Sequence, residues 1–243
     1  MNAKEALEWL KARGSSTVAR VYRRHGATAE PLGVTYADLK TLVKALGTNP
    51  ELAKDLFATG VHEARIVAFE IADAGRTTAK DLDRWLESAR DHVTIGALAS
   101  FAAKVPEAPA IAAAWIERAG EWPTSAGWTL YGALAAQGRL GEAEAAKLLE
   151  RIRKGIQAAP NRTRHAMNGA LIAIGGSMEP LRGAAEDVAR AIGKVEVDHG
   201  DTDCVTPSAI PYMAKMWERS AKKKASPKKK APAKKKAPAR TKA

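Results

Sequence analysis

A single cysteine, Cys204, stands among the 243 residues. The fold can therefore hold no intrachain disulfide and rests on packing alone. Aromatic residues make up only 5% of the chain, too few for the aromatic-rich strands of a sandwich. No apolar run approaches the roughly 20 residues that a membrane-spanning helix needs. The opening MNAKEALEWLKARG has the period of an amphipathic helix, not the unbroken apolar stretch of a secretion signal. There is no glycine-rich phosphate loop; Gly175-Gly176-Ser177 reads as a helix stop. No nucleophile motif marks serine–histidine–aspartate catalysis. From Ala221 to the end there is no acidic residue. These absences argue against a disulfide-stapled secreted scaffold and a membrane-spanning protein, and the reading calls for no cofactor.

What is abundant is alanine, within an apolar content of 46%. That composition suits close-packed helices. Apolar residues recur at helical spacing over 3–12, 16–24, 36–46, 62–73, 93–104, 107–119, 124–137, 141–158, 161–175, 179–192 and 207–220. Asn49-Pro50-Glu51 opens a further helix with a capping side chain, a proline whose missing N–H costs nothing and an acid near the positive dipole end. Thr77 or Thr78 caps another through Leu86, and Thr206-Pro207 repeats the cap-then-proline signal. Only Lys194-Val195-Glu196-Val197 alternates like a strand, and it is too short and isolated for a sheet. Helix pairs recurring every ~30–45 residues predict an all-α α-solenoid of the HEAT type over residues 1–220, its second helices lining a concave face. A globular helical bundle is the alternative.

The last 23 residues, AKKKASPKKKAPAKKKAPARTKA, hold eleven of the twelve net positive charges, which leaves residues 1–220 near neutral. Proline blocks helix and like charges repel, so residues 221–243 are expected to be a disordered tail. The triplets Lys222, Lys223, Lys224; Lys228, Lys229, Lys230; and Lys234, Lys235, Lys236 can neutralise phosphates and release counterions without reading sequence. The tail resembles those of linker histones. A solubility tail, an anionic membrane surface and RNA are the other readings of such a run.

The segment GVTYADLKTLVKALGTNPELAKDLFATGVHEARIVAFEIAD, residues 33–73, resembles the DNA alkylation repair family of HEAT-like repeat DNA glycosylases and their relatives. Gly60, Val61, His62, Glu63, Ala64 and Arg65 follow the family's turn residue for residue, and DLDRWLES at 81–88 is similar to its Asp-Arg-Trp-Val-Glu stretch. The likeness is clearest over residues 32–100. It implies a fold whose concave face meets double-stranded DNA. In active members the next stretch reads Trp-Asp-x-x-Asp, and the second Asp serves catalysis. Here His92 falls at the tryptophan, Val93 at the first Asp and Gly96 at the second. The family's Trp-Val-Arg-Arg-Ala appears as Trp128-Thr129-Leu130-Tyr131-Gly132, and a second catalytic tryptophan becomes Gly169. A glycine offers neither the charge nor the π face that would stabilise a cation-like sugar. The resemblance thus implies a DNA-binding relative whose standard excision residues are replaced. Two alternatives stand: a glycosylase that removes N3- or N7-alkylated purines with a rearranged site using Asp91 or His92, and a protein-binding or chromatin-architectural solenoid.

Three basic groups are candidates for phosphate contact. Arg162, Arg164 and His165 open the helix at 161–175. Cations there oppose the dipole, so a phosphate held jointly by backbone N–H groups and arginines would favour them. Arg20, Arg23 and Arg24 form a second group, and Arg151, Arg153 and Lys154 a third. Gly193–Pro207 gathers Glu196, Asp198, His199, Asp201, Asp203 and Cys204; it matches no metal-spacing rule and reads as a defined capping loop. Trp122 and Trp128 flank a turn and are the indoles best placed to stack on bases. The expected protein is a monomer with double-stranded DNA as its partner, no metal and no membrane, in the cytoplasm and associated with the nucleoid.

Overall fold

The computed structural model describes residues 1–225. Thirteen α-helices occupy them: α1 Ala3–Lys11, α2 Ser16–Arg24, α3 Tyr36–Leu46, α4 Pro50–Ala58, α5 His62–Ile71, α6 Ala79–Ser88, α7 His92–Ala102, α8 Ala108–Ile116, α9 Glu121–Ala136, α10 Glu142–Gly155, α11 Asn161–Ser177, α12 Arg182–Ile192 and α13 Ala209–Ala225. The predicted caps set several starts. Asn49 Oδ1 accepts the Leu52 amide at 3.1 Å, and Thr78 and Asp81 exchange bonds in a capping box. The described residues contain no strand, and 194–197 is extended but unladdered. No helix among them is long and apolar enough to cross a membrane.

After α1–α3 the helices pair as α4/α5, α6/α7, α8/α9, α10/α11 and α12/α13. The second members stack into one inner row, α5 on α7, α7 on α9, α9 on α11 and α11 on α13, and α3 extends the row beside α5. This is the expected all-α solenoid of HEAT-like pairs. Two buried cores run along it, one under α1 and α3–α5 and one from Phe69 onward. An aromatic seam of all three phenylalanines and Trp85 joins them, with ring centroids 5.5 to 5.8 Å apart.

The Gly60–Arg65 turn proves to be a structural clamp. Glu63 is fully buried, and its carboxylate accepts the backbone N–H groups of Leu32, Gly33 and Val34 at 3.0, 2.6 and 3.2 Å. Gly33 has φ +83°, and a Cβ there would sit 2.0 Å from the Ser15 carbonyl oxygen, so no other residue fits. Arg65 donates to the Ser88 carbonyl at 3.2 Å and ties α5 to the end of α6. The clamp thereby fixes α2 and α3 against the row.

The last helix departs from the expected boundary. It begins at Ala209 and continues to Ala225, five residues into the segment assigned to the tail, because α13 has no proline before Pro227 apart from Pro211 in its first turn. Lys222 and Lys223 therefore stand exposed on its last turn. The expectation for Lys228–Lys230 and Lys234–Lys236 lies outside the described residues.

The clamp generates a stability prediction. Glu63→Ala would leave two buried N–H groups and one half-buried N–H group without their acceptor and should cost about 3 kcal/mol, read as a lower midpoint in urea unfolding. A cost within experimental error would show that the clamp contributes nothing.

Candidate nucleic-acid interface

Where α7, α9 and α11 run side by side, their inner faces enclose a hollow of about 430 Å³. Its wall includes His92 and Gly96 from α7, Gly132 from α9, and Arg162, His165 and Gly169 from α11. No Asp or Glu lines it. The structure thus brings together the three family-equivalent positions, His92, Gly96 and Gly169, with two members of the α11 basic group. At Gly96 and Gly169 a methyl group would meet nothing within 4 Å, so these glycines leave open space where bulky or acidic side chains stand in the resembled motif.

Arg162 is held by its backbone. Its N–H donates to Glu121 Oε1 at 2.6 Å, and its carbonyl accepts from Ser125 Oγ at 3.2 Å. Next to it, the Thr124 and Thr163 hydroxyls are 2.7 Å apart. Glu121 is therefore the acid that offsets the cations at the start of α11, and it fills the place expected for a phosphate on the backbone N–H groups. The side chain is free of this clamp. The half-buried guanidinium makes no ion pair or hydrogen bond among the described residues.

The imidazoles are tuned by burial and by this arginine. His92 is pushed down to about 4, first by desolvation and then by the Arg162 charge; His25 and His165 add to the depression and Asp91 opposes it. His165 is lowered by burial, by His199 and by Arg162. His199 is lowered by burial and Arg162, against Asp198. The rings of His25 and His92 lie 6.3 Å apart, and those of His165 and His199 5.5 Å apart in a T-shape. A line of imidazoles thus passes the hollow from α2 to the loop before α13.

Other candidates are engaged elsewhere. Arg164 donates to the carbonyls of Glu196 and Ala159 at 2.9 and 3.0 Å; it pins the chain and does not face the hollow. Arg23 pairs with Glu30. Arg24 donates to the Asp201 carbonyl at 2.7 Å, and only Arg20 of that group is exposed without an ion pair among the described residues. Asp91 is 2% exposed and caps α7: Oδ1 accepts from the Val93 and Thr94 amides at 3.0 and 2.9 Å, and Oδ2 from Thr94 Oγ1 at 2.8 Å. It is not available as a carboxylate in the hollow. Arg151, Arg153 and Lys154 lie on α10, the first helix of its pair, and pair with Glu117 and Glu150. Trp128 is buried in the core, and Trp122 packs partly buried against it.

The loop 193–208 is a latch. Asn161 reads the Asp198 backbone twice, at 2.8 and 2.7 Å. Asn168 holds the Pro207 carbonyl at 2.9 Å, and His199 meets Thr206 at 3.0 Å. On the far side, Cys204 Sγ lies 3.6 Å from His25 Nε2. Among the described residues no three His, Cys, Asp or Glu side chains gather in a metal-binding arrangement.

A second groove, about 410 Å³, lies between α3, α5 and α7 and shares Gly96 with the hollow. Sequence reasoning passed over its exposed ring, Tyr36. The signal available was an aromatic residue followed by lysine at i+4 and i+8, as Lys40 and Lys44.

A helical-repeat solenoid with an acid-free, cation-bearing inner hollow is the class that fold and site define. Residues 6–196 match the family described as DNA alkylation repair enzyme, and the chain belongs to that family. It is 31% identical over 217 residues to an uncharacterized protein of Listeria innocua, covering 86% of this chain and 95% of that one. It is 30% identical over 218 residues to one of Listeria monocytogenes, covering 87% and 95%. A solved structure superposes with a TM-score of 0.83 at 29% identity, over 90% of this chain and 95% of that chain. It is described as a new family of proteins related to the HEAT-like repeat DNA glycosylases with affinity for branched DNA structures.

The depressed His92 value has a pH consequence. Folded His92 titrates near 4, whereas an unfolded histidine titrates near ~6.5. Between those values the unfolded chain binds more protons, so stability should be flat above pH ~6.5 and fall as pH drops towards 4. His92→Gln should remove its share of that fall in urea titrations between pH 7.5 and 5. An identical pH profile in wild type and variant would contradict the assignment.

Proposed function

We propose that this protein binds DNA along the inner row of its solenoid, with a backbone phosphate drawn to Arg162 at the mouth of the hollow. One observation carries the reading: a half-buried guanidinium with no partner among the described residues, in a hollow that no acid lines. An arginine facing such a hollow without a counter-ion attracts an anion, and a phosphodiester oxygen supplies the missing partner. Neutral His92 and His165 can each donate one N–H to the same anion. Affinity of the structural neighbour for branched DNA supports nucleic acid as the ligand. Double-stranded DNA, entire or at a branch, is the form we propose for the ligand along this row, with Arg162 as its phosphate contact. The lysine triplets beyond Ala225 would add a salt-sensitive tether.

The same geometry supports binding without the standard excision chemistry. A departing alkylated base leaves a cation-like sugar, which needs a carboxylate or an aromatic face nearby. Gly96 and Gly169 provide neither, and Asp91 is committed to its cap.

The full chain should bind labelled duplex and branched DNA in fluorescence anisotropy, and Arg162→Ala should weaken that binding about tenfold with thermal stability retained. Incubation with alkylated duplex should release no base above spontaneous loss. Unchanged affinity in Arg162→Ala would refute the phosphate site, and enzyme-dependent base release would refute binding without excision.

A further inference from the structure

We infer that the groove beside Tyr36 seats one unpaired nucleotide of a DNA strand, its base stacked on the Tyr36 ring and its flanking phosphates attracted by Lys40 and Lys44. The inference rests on the DNA-binding reading and adds to it a particular substrate feature.

Tyr36 opens α3 and is 48% exposed, one of few large apolar side chains left in solvent. Its ring is nonetheless buttressed on one side. It meets the edge of Tyr22 at 6.0 Å in a T-shape, and Tyr22 is itself held by a 2.6 Å hydrogen bond from its hydroxyl to the Val34 carbonyl. Val34 is in turn held by Glu63. The platform is thus anchored through the clamp that fixes α3. A buttressed, half-open aromatic ring is suited to stacking, because less side-chain freedom is lost on contact.

The groove floor is apolar, with Leu39, Val43, Ile66, Val93 and Ala97, which suits the face of a base and not a phosphate. The charges stand at its edge. Lys40 and Lys44 lie one and two turns beyond Tyr36 and form no ion pair among the described residues. The one carboxylate lining the groove, Glu70, faces Lys104 at 3.9 Å. An apolar floor, an aromatic wall and unpaired lysines beside it reproduce the design of single-strand binding surfaces, in which bases stack and cations follow the backbone. Gly96 lines this groove and the Arg162 hollow alike, so the two adjoin along α7 and one strand could contact both. A paired base cannot reach the ring, since its faces are covered by its neighbours in the duplex. An extra, gapped or branch-point nucleotide can.

The test uses the full chain and a short duplex carrying one unpaired 2-aminopurine, beside the fully paired duplex of the same sequence. Stacking on Tyr36 should quench the 2-aminopurine fluorescence, and the unpaired probe should bind more tightly than the paired one. Tyr36→Ala should lose that preference by about tenfold and abolish the quenching, whereas paired-duplex affinity changes by less than about twofold. Tyr36→Phe, which keeps the ring, should behave as wild type and guards against a folding defect. Lys40→Gln with Lys44→Gln should weaken the unpaired probe and lower its salt dependence. If Tyr36→Ala keeps both preference and quenching while both probes still bind, the groove serves another occupant, such as a partner protein's apolar side chain, and this inference falls alone. If neither probe binds the wild-type chain, the DNA reading falls with it.

Discussion

The contact between α9 and α11 is the constraint from which the site follows. The two helices pack in direct contact: a Cβ added at Gly132 would meet the Ala170 Cα at 3.5 Å, an ordinary van der Waals distance. That approach lets Glu121 reach the Arg162 amide, Ser125 reach its carbonyl, and Thr124 meet Thr163. The first turn of α11 is held on both sides by α9. With its backbone fixed, the Arg162 side chain has the hollow as its surroundings. Larger residues along the seam would part the helices, undo the cap on α11 and release the arginine from its position.

The electrostatic character of the hollow comes from subtraction. Glu121 satisfies the helix terminus from below, Asp91 is consumed by the start of α7, and Arg164 is consumed by the latch. What remains facing the open space is one guanidinium and imidazoles that burial keeps neutral. Helix interiors gain roughly 0.5–1 kcal/mol when glycine is replaced by alanine. At Gly96 and Gly169 there is room for that methyl, so the row carries an avoidable stability cost at two positions that line the hollow. Functional surfaces commonly carry such costs.

Much of the architecture was legible in one dimension. Caps such as Asn49 and Thr78 act within three residues, and the apolar period of each helix needs no distant partner. The family turn at Gly60–Arg65 could be recognised, yet its work could not, because Glu63 acts on amides about thirty residues earlier. The α11 basic group shows the limit most clearly. Arg162 and Arg164 are two residues apart and identical in type. One faces the hollow, and the other binds the Glu196 carbonyl, a difference decided entirely by where the latch returns. Trp128 looked like a stacking surface from its turn and is core, whereas Tyr36 looked like an ordinary helix start and is exposed. The end of α13 is not legible from charge, because the lysines from Lys222 suggest a tail although no proline interrupts the helix between Lys222 and Ala225.

The central claim is that DNA is held on the inner row and against Arg162. Arginine modification by phenylglyoxal, followed by mass spectrometry with and without duplex DNA, tests it directly. The account predicts that DNA protects Arg162 and leaves Arg84 and Arg190, on the first helices of their pairs, reacting at unchanged rates. Protection of Arg84 or Arg190 with Arg162 still reactive would contradict it.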